Sequence, residues 1–249
     1  MERVPFDAMK GQGQSIDATI DKERCLGSAL TIGMKIANAH FAGWPYWHFD
    51  ATAGSGHNDI VDVPGSPVVF HVAADTCLTA MKRQGFFCDK NVAALKELKL
   101  RLGKWMSSSY LLPGDNEEAL EVFAERIRQS GDRPRYAVGS VIVDPNGYWY
   151  RNKTTGDGPP IAGLLRFVAE FPRIDIILNL NARIYRLQRA NGHHVNSPQD
   201  VLINLRKSNW LVRHTRYGSS NDWLLAVGRN VATGDHRKIE FHRLDSEKG

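Results

Sequence analysis

Tyr46-Trp47-His48-Phe49-Asp50-Ala51-Thr52-Ala53-Gly54-Ser55-Gly56 is the stretch that decides the fold. Its first half, Tyr46 to Ala51, is apolar and aromatic enough for a buried strand, and its second half sets two glycines behind an acid. A strand that runs into a Gly-x-Gly turn brings bare backbone to a place where a ligand can approach closely. A dinucleotide fingerprint would need a third glycine at position 59, where Asp59 stands, unsuited to a pyrophosphate. The Gly-Lys-Ser/Thr ending of a phosphate-binding loop is also missing, so triphosphate hydrolysis has no support. A plain tight turn is the alternative reading of the same residues.

Working outward, strand patterns alternate with capped helix patterns. Upstream, Ala29 to Phe41 reads as an amphipathic helix through Leu30, Ile32, Ile36 and Phe41, closed by Gly43. Downstream, Ser66 suits an N-cap, Pro67 the first helical position, Lys82 and Arg83 the last turn, and Gly85 the stop. Gly85 to Cys88 is a short strand ending at Asp89, and Asn91 caps a helix carrying Val92, Leu95, Leu98 and Leu102. Tyr110 to Leu112 is a strand leading to Asp115 and Asn116, which cap a helix with Leu120, Phe123 and Ile127 inward. Val138 to Val143 is almost wholly apolar, as a strand covered on both faces should be, and is expected at the sheet centre.

Farther on, Arg151 to Gly158 reads as a mobile loop, Pro159-Pro160 starts a helix, Ile174 to Leu180 is a strand, and Ser197-Pro198 opens another helix. Trp210 to Tyr217 and Trp223 to Gly228 form a closing antiparallel hairpin. The expected fold is therefore α/β: a doubly wound, mainly parallel seven-stranded sheet with a C-terminal antiparallel hairpin. Residues 1–45 form an N-terminal helical segment packed on the core, and residues 46–249 the α/β domain.

In such a sheet, ligands bind beyond the carboxyl ends of the strands, so the acids there are the first candidates. Asp50 can hold an ammonium or hydroxyl group, and Asp89 can accept hydrogen bonds from both hydroxyls of a ribose, although a helix-capping acid explains it equally. Asp115-Asn116 serves either as a helix cap or as a partner for an adenine edge. Asp144-Pro145-Asn146-Gly147-Tyr148-Trp149 is a carboxylate at a buried strand's end followed by a turn and two aromatics.

Composition narrows the field. The chain has 249 residues, 42% of them hydrophobic and 24% charged, as in ordinary globular proteins. No apolar run approaches the roughly 20 residues that cross a bilayer, and acids at Glu2 and Asp7 stand where a secretory signal would be basic, so a cytoplasmic protein is expected. Three cysteines without a Cys-x-x-Cys pair argue for reduced thiols, and His193-His194, His214, His236 and His242 lack metal-ligand spacing, so no metal site is expected. From Arg173 onward 13 Lys and Arg face 7 Asp and Glu, and a basic last third points to an anionic partner, nucleic acid foremost. Arg183, Arg186, Arg189, Arg213 and Arg216, interleaved with Tyr185, Trp210 and Tyr217, are the candidate phosphate-tracking residues; a solvated face with packing aromatics is the alternative.

Taken together, Asp50 to Gly56, Gly65-Ser66-Pro67, Cys88-Asp89-Lys90-Asn91 and Val143-Asp144-Pro145-Asn146-Gly147 give a chain that resembles the three-Cys-motif partner proteins, relatives of class I S-adenosylmethionine-dependent methyltransferases found often in bacteria and phages. The resemblance runs from about Trp44 to the C-terminus. It implies S-adenosylmethionine as cofactor, with Asp50 near its methionine ammonium and Ala53, Gly54, Ser55 and Gly56 under it. It further implies Asp89 and Lys90 at the ribose, and Asp115 and Asn116 near the adenine. Asp144-Pro145 is similar to the start of the Asp-Pro-Pro-Tyr motif of amino-methyltransferases, which makes Asp144, Pro145, Asn146 and Tyr148 the implied catalytic set. Asn146-Gly147 departs from that motif, with the aromatic arriving later as Tyr148 or Trp149. The implied activity is methyl transfer to an amine of nucleic acid, DNA favoured over RNA, on a base flipped into the site. The other implied reading is a non-catalytic cofactor- or nucleic-acid-binding partner of a second modification protein, since fold does not establish reaction.

Overall fold

The computed structural model describes residues 16–59, 62–131, 133–144, 161–181, 190–192, 202, 203, 205, 207, 209–215, 223–229 and 241–243. Helix α1 (Ile16–His40) leads into strand β1 (Pro45–Asp50), and a two-residue hairpin, β2 (His57–Asn58) with β3 (Val63–Pro64), follows the glycine turn. Helix α2 (Ser66–Cys77), strand β4 (Lys82–Asp89), helix α3 (Val92–Leu102), strand β5 (Ser109–Pro113) and helix α4 (Asn116–Gln129) come next. Strand β6 (Val138–Val143), helix α5 (Ile161–Glu170), strand β7 (Ile174–Asn181), and strands β8 (Asn209–Thr215), β9 (Trp223–Arg229) and β10 (His242–Arg243) complete the chain.

The main sheet has the order β5-β4-β1-β6-β7-β9-β8-β10. Strands β5, β4, β1, β6 and β7 are parallel, while β9 runs antiparallel to β7 and β8 antiparallel to β9. The expected doubly wound sheet with its closing hairpin is thus present, and β10 adds an eighth, antiparallel strand at the β8 edge. From β1 the chain winds outward to β4 and β5, then returns to lay β6 on the other side of β1. The β1/β6 boundary is therefore the switch point, the place beside which ligands bind in sheets of this kind.

Period-two alternation sends successive side chains to opposite faces, and both faces are covered. Trp47, Phe49, Phe86, Val141, Ile176 and Leu178 join the layer that contains Phe123 of α4 and Phe167 of α5. Tyr46, Phe87, Ile142 and Ile177 join the opposite layer with Leu30 of α1, Phe70 of α2 and Leu98 of α3. Phe49 is fully buried 5.3 Å from the Phe123 ring. Burying each such ring contributes about 2–3 kcal/mol, so these aromatics hold β1 firmly between the two helix layers.

Two boundaries differ from those the sequence predicts. Helix α1 starts at Ile16, well before Ala29, because Cys25, Leu26, Ala29, Leu30, Met34 and Ala37 continue its buried stripe upstream. Helix α2 ends at Cys77, and Lys82 and Arg83 pair with Pro45 and Tyr46 in the β1/β4 ladder. Gly85 is no helix stop: it lies within β4, where a Cβ would come within 2.8 Å of the Phe87 ring. Sheet pairing with β1 overrode the local helix-ending signals. Asn91 caps α3 as expected, accepting from the Ala93 and Ala94 amides at 3.0 and 3.3 Å. Removing that cap in Asn91→Ala is expected to cost about 1 kcal/mol and to lower the thermal midpoint by about 2–4 °C in a calorimetric scan. No helix among the described residues is long and apolar enough to cross a membrane.

Candidate functional site

Because β1, β4, β5, β6 and β7 are parallel, their carboxyl ends share one edge of the sheet, and the acids that end them meet there. Asp50 closes β1, Asp89 closes β4, and Asp144 follows the last residue of β6. The glycine turn bridges them. The Gly54 amide donates to Asp89 Oδ2 at 2.9 Å, the Ala53 amide to the Cys88 carbonyl at 2.9 Å, and the Asp144 amide to Thr52 Oγ1 at 3.2 Å. Gly54 and Gly56 hold φ of +58° and +75°, a region that costs other residues about 1–2 kcal/mol. At Gly54 a Cβ would meet nothing within 4 Å, so the backbone of the turn faces open space beside Asp89.

Asp89 has a second backbone donor, the Asn91 amide at 2.7 Å on Oδ1. Each carboxylate oxygen has two acceptor sites, so two further hydrogen bonds, as from a pair of ribose hydroxyls, can still be accepted. Asp115 is the N-cap of α4, accepting from the Glu117 amide at 2.8 Å, and Lys90 Nζ stands 3.7 Å from its other oxygen. Asn116 begins the helix. Ser55 Oγ donates to the His57 carbonyl at 3.0 Å and steadies the turn. Asp50, Ala53, Gly54, Ser55, Asp89, Lys90, Asp115 and Asn116 are therefore brought along one line from β1 across β4 to β5. Gly56 instead packs toward α3, where a Cβ would come within 2.6 Å of Leu98.

Asp50 itself is fully buried, and both its oxygens have partners on this chain. The Thr52 amide donates to Oδ1 at 2.9 Å and the Ser66 hydroxyl to Oδ2 at 2.6 Å. Ser66, expected as a helix cap, is instead the first residue of α2, and Gly65 holds the cap position. Burial pushes the Asp50 carboxyl up to about 7, the hydrogen bonds from Ser66 and Thr52 offset part of that, and the charges of Asp144 and Glu23 push it further. Both oxygens being engaged within the chain, Asp50 lies beneath the turn rather than at its surface.

Asp144 is held on two sides. Asn179 of β7 donates to Oδ1 at 2.6 Å, and Lys22 of α1 donates to Oδ2 at 2.6 Å. Lys22 also lies 3.4 Å from Glu23 Oε1. Burial alone would lower the Lys22 pKa, but Asp144 and Glu23 together raise it, so the ammonium stays charged. Burial pushes Glu23 up. Buried Glu23 Oε2 and Asn179 Oδ1 have no hydrogen-bond partner among the described residues. Among the described residues, three carboxyl groups, Glu23, Asp50 and Asp144, thus gather beside the strand tips around one ammonium.

Lys22, Glu23 and Asn179 were not singled out by the sequence, and Ser66 was expected as a helix cap rather than as a partner of Asp50. The apolar stripe through Cys25 and Leu26 would have extended α1 far enough to suggest that its first turns reach the strand tips. Of the residues implied as catalytic, Pro145, Asn146 and Tyr148 lie outside the described residues, as do Arg183, Arg186, Arg189 and Arg216. Arg213 is turned inward, its guanidinium 3.3 Å from Asp21 and bonded to Cys25 Sγ, so it ties β8 to α1. All three cysteines are free and buried. A cavity of about 450 Å³ lies at the opposite end of the sheet, lined among others by Tyr46, Gly139, Asp175 and Arg229, and none of the strand-tip acids reaches it.

This fold has counterparts among solved structures. The Legionella pneumophila protein LPL1258 aligns over 92% of this chain and 90% of its own, with TM-score 0.61 and 11% identity. A putative methyltransferase from Thermobifida fusca aligns over 87% of this chain and 82% of its own, with TM-score 0.52 and 12% identity. WbdD aligns over 83% of this chain but 40% of its own, with TM-score 0.53 and 10% identity. At such identities the likeness is one of fold: a class I methyltransferase-like, doubly wound sheet. No protein-family model and no curated protein matches the chain.

Proposed function

We propose that this chain is an S-adenosylmethionine-dependent methyltransferase that acts on an amine of nucleic acid, DNA before RNA, in the cytoplasm. The observation that carries the reading is the excess of carboxylate over ammonium at the switch point, beside an open glycine turn. Such a cluster is costly to bury unless a cation joins it. S-adenosylmethionine brings an ammonium and a sulfonium against one carboxylate, a net positive charge, and when bound it supplies the electrophilic methyl group. The residues fit it: Glu23 Oε2 and Asn179 Oδ1 are buried acceptors without partners, and Gly54 leaves room beside Asp89. In this reading Asp144 accepts a hydrogen bond from the target amine and orients its lone pair toward the methyl.

The basic last third supports nucleic acid as the acceptor, with Arg183, Arg186, Arg189 and Arg216 as the phosphate contacts and Arg213 left to its internal role. Kinship with the three-Cys-motif partner proteins belongs to the same proposal. One observation favours a second reading, a non-catalytic partner of another modification protein: Asp144 is already satisfied by Lys22 and Asn179.

Calorimetric titration separates the halves of the proposal. S-adenosylmethionine and its demethylated product are both expected to bind, and a flat trace for both would remove the cofactor reading. Radiolabelled cofactor is then offered with DNA and with RNA; label on neither polymer, despite binding, transfers support to the partner reading.

A further inference from the structure

The place that the target amine would take at Asp144 is filled by an amine of the chain itself. Lys22 Nζ approaches Asp144 Oδ2 to 2.6 Å, as close as Asn179 Nδ2 approaches Oδ1. The same ammonium is within 3.4 Å of Glu23 Oε1, whose companion oxygen Oε2 is buried and unpartnered. Both side chains are largely enclosed, Lys22 at 15% and Glu23 at 12% exposure. Resting on the reading of Asp144 as acceptor of the target amine, we propose that Lys22 is a positioning residue that occupies Asp144 until the target amine arrives and then exchanges onto Glu23.

Charge balance makes the exchange short. The nucleophilic form of a base amine is neutral, so it cannot replace the charge that Lys22 provides, and a cation withdrawn to water would leave Asp144 and Glu23 buried and bare. Glu23 is the next residue on α1, so Lys22 can shift between carboxylates by rotating its four-carbon stem while the helix stays in place. Asn179 keeps Oδ1 throughout, so the orientation of the Asp144 carboxylate is preserved. The exchange also selects: Oδ2 accepts only a group that donates a hydrogen, so an amine replaces the ammonium while a carbonyl or phosphate oxygen is repelled.

The test uses Lys22→Met, Glu23→Gln and their combination, on the polymer that takes label. Lys22→Met removes the competitor but also the cation that keeps Asp144 ionised, so all variants are compared at about pH 9, where Asp144 stays ionised, and there KM for the polymer is expected to fall about tenfold. Glu23→Gln removes the second berth and is expected to raise KM. With cofactor held saturating, the double variant should match Lys22→Met in KM for the polymer, because Glu23 reaches the target amine only through Lys22. An unchanged or raised KM in Lys22→Met, or a Glu23→Gln effect that persists in the double variant, overturns the proposal.

If wild-type protein labels no polymer, the methyl-transfer reading fails, and the exchange is still read without activity. Reductive methylation of Lys22 by formaldehyde and borohydride, mapped by mass spectrometry, reports how firmly its amine is held. With two berths, Asp144→Asn alone and Glu23→Gln alone are each expected to speed modification by about threefold, and both together by about tenfold or more. Should Asp144→Asn alone expose Lys22 as fully as the double change, with folding verified by circular dichroism, Glu23 is no berth and the exchange is refuted. This arm does not depend on Lys22→Met folding.

Discussion

At pH 8, Asp50→Asn is expected to unfold about 6 °C above the wild type while binding S-adenosylmethionine on the order of tenfold more weakly. Both effects come from one buried charge. The Asp50 carboxyl titrates at about 7 in the folded chain, against about 4 when unfolded. Between those values the folded state holds a proton that the unfolded state has lost, so this group's contribution to stability falls as pH rises from about 4 to about 7. Above 7 the full penalty, about 4 kcal/mol, is present. Asparagine removes it, keeping the bond from the Thr52 amide and weakening the one to Ser66, for a net gain of about 2–3 kcal/mol. At pH 4 the wild-type carboxyl is protonated and the penalty has gone, so only the weakened bond to Ser66 remains and the variant is expected to melt about 2–4 °C below the wild type.

The cofactor reading fixes the sign of a second pH effect. A cationic ligand favours ionised Asp50, so wild-type affinity rises with pH between 6 and 8, and the rise is absent in Asp50→Asn. Thermal scans at pH 4 and 8, with calorimetric titrations at pH 6, 7 and 8, measure all of this. Equal melting points at pH 8 would show that Asp50 carries no buried penalty. A variant that binds as tightly as wild type would show that its charge serves structure alone. The expected pattern, stability gained where binding is lost, is the trade that a preorganised charged site makes.

The readability of this chain follows the range of the forces involved. Val138 to Val143 was legible to the residue because a strand buried on both faces must be apolar throughout, and only a central strand meets that condition. Asp115 and Asn91 were legible because capping is local: the side chain bonds amides two and three residues ahead. The Gly54 turn was legible as a turn, and its hydrogen bonds tie it to the tips that end in Asp89 and Asp144. What stayed hidden is all of long range. Lys22 and Asp144 are 122 residues apart, and Asn179 and Asp144 are 35 apart, so no window of sequence contains either pair. Ser66 carried the signature of a helix cap, and its hydroxyl went instead to a carboxylate on a neighbouring strand. Gly85 looked like a helix stop because glycine serves equally to end a helix and to admit the Phe87 ring; only the β1/β4 pairing decides which.

Asp144→Asn is expected to reduce methyl transfer by about a thousandfold with cofactor binding retained, the usual weight of a group that acts on the reacting atoms rather than on ground-state binding. The two short bonds to Asp144 show why a carboxylate is needed there. Lys22 and Asn179 are both donors, and an asparagine can present an acceptor to only one of them; its own amide hydrogens then confront the other. A target amine, also a donor, meets the same conflict and loses its orienting partner. The substitution has a further consequence at Asp50, whose carboxyl is pushed up in part by the Asp144 charge. Removing that charge lowers the Asp50 pKa, so the pH at which cofactor affinity reaches its plateau should move below that of the wild type. Single-turnover transfer and pH-dependent titration of the same protein check both points. Loss of transfer with an unmoved binding profile would separate Asp144 from the cluster, and transfer within tenfold of wild type would deny it the role of amine acceptor.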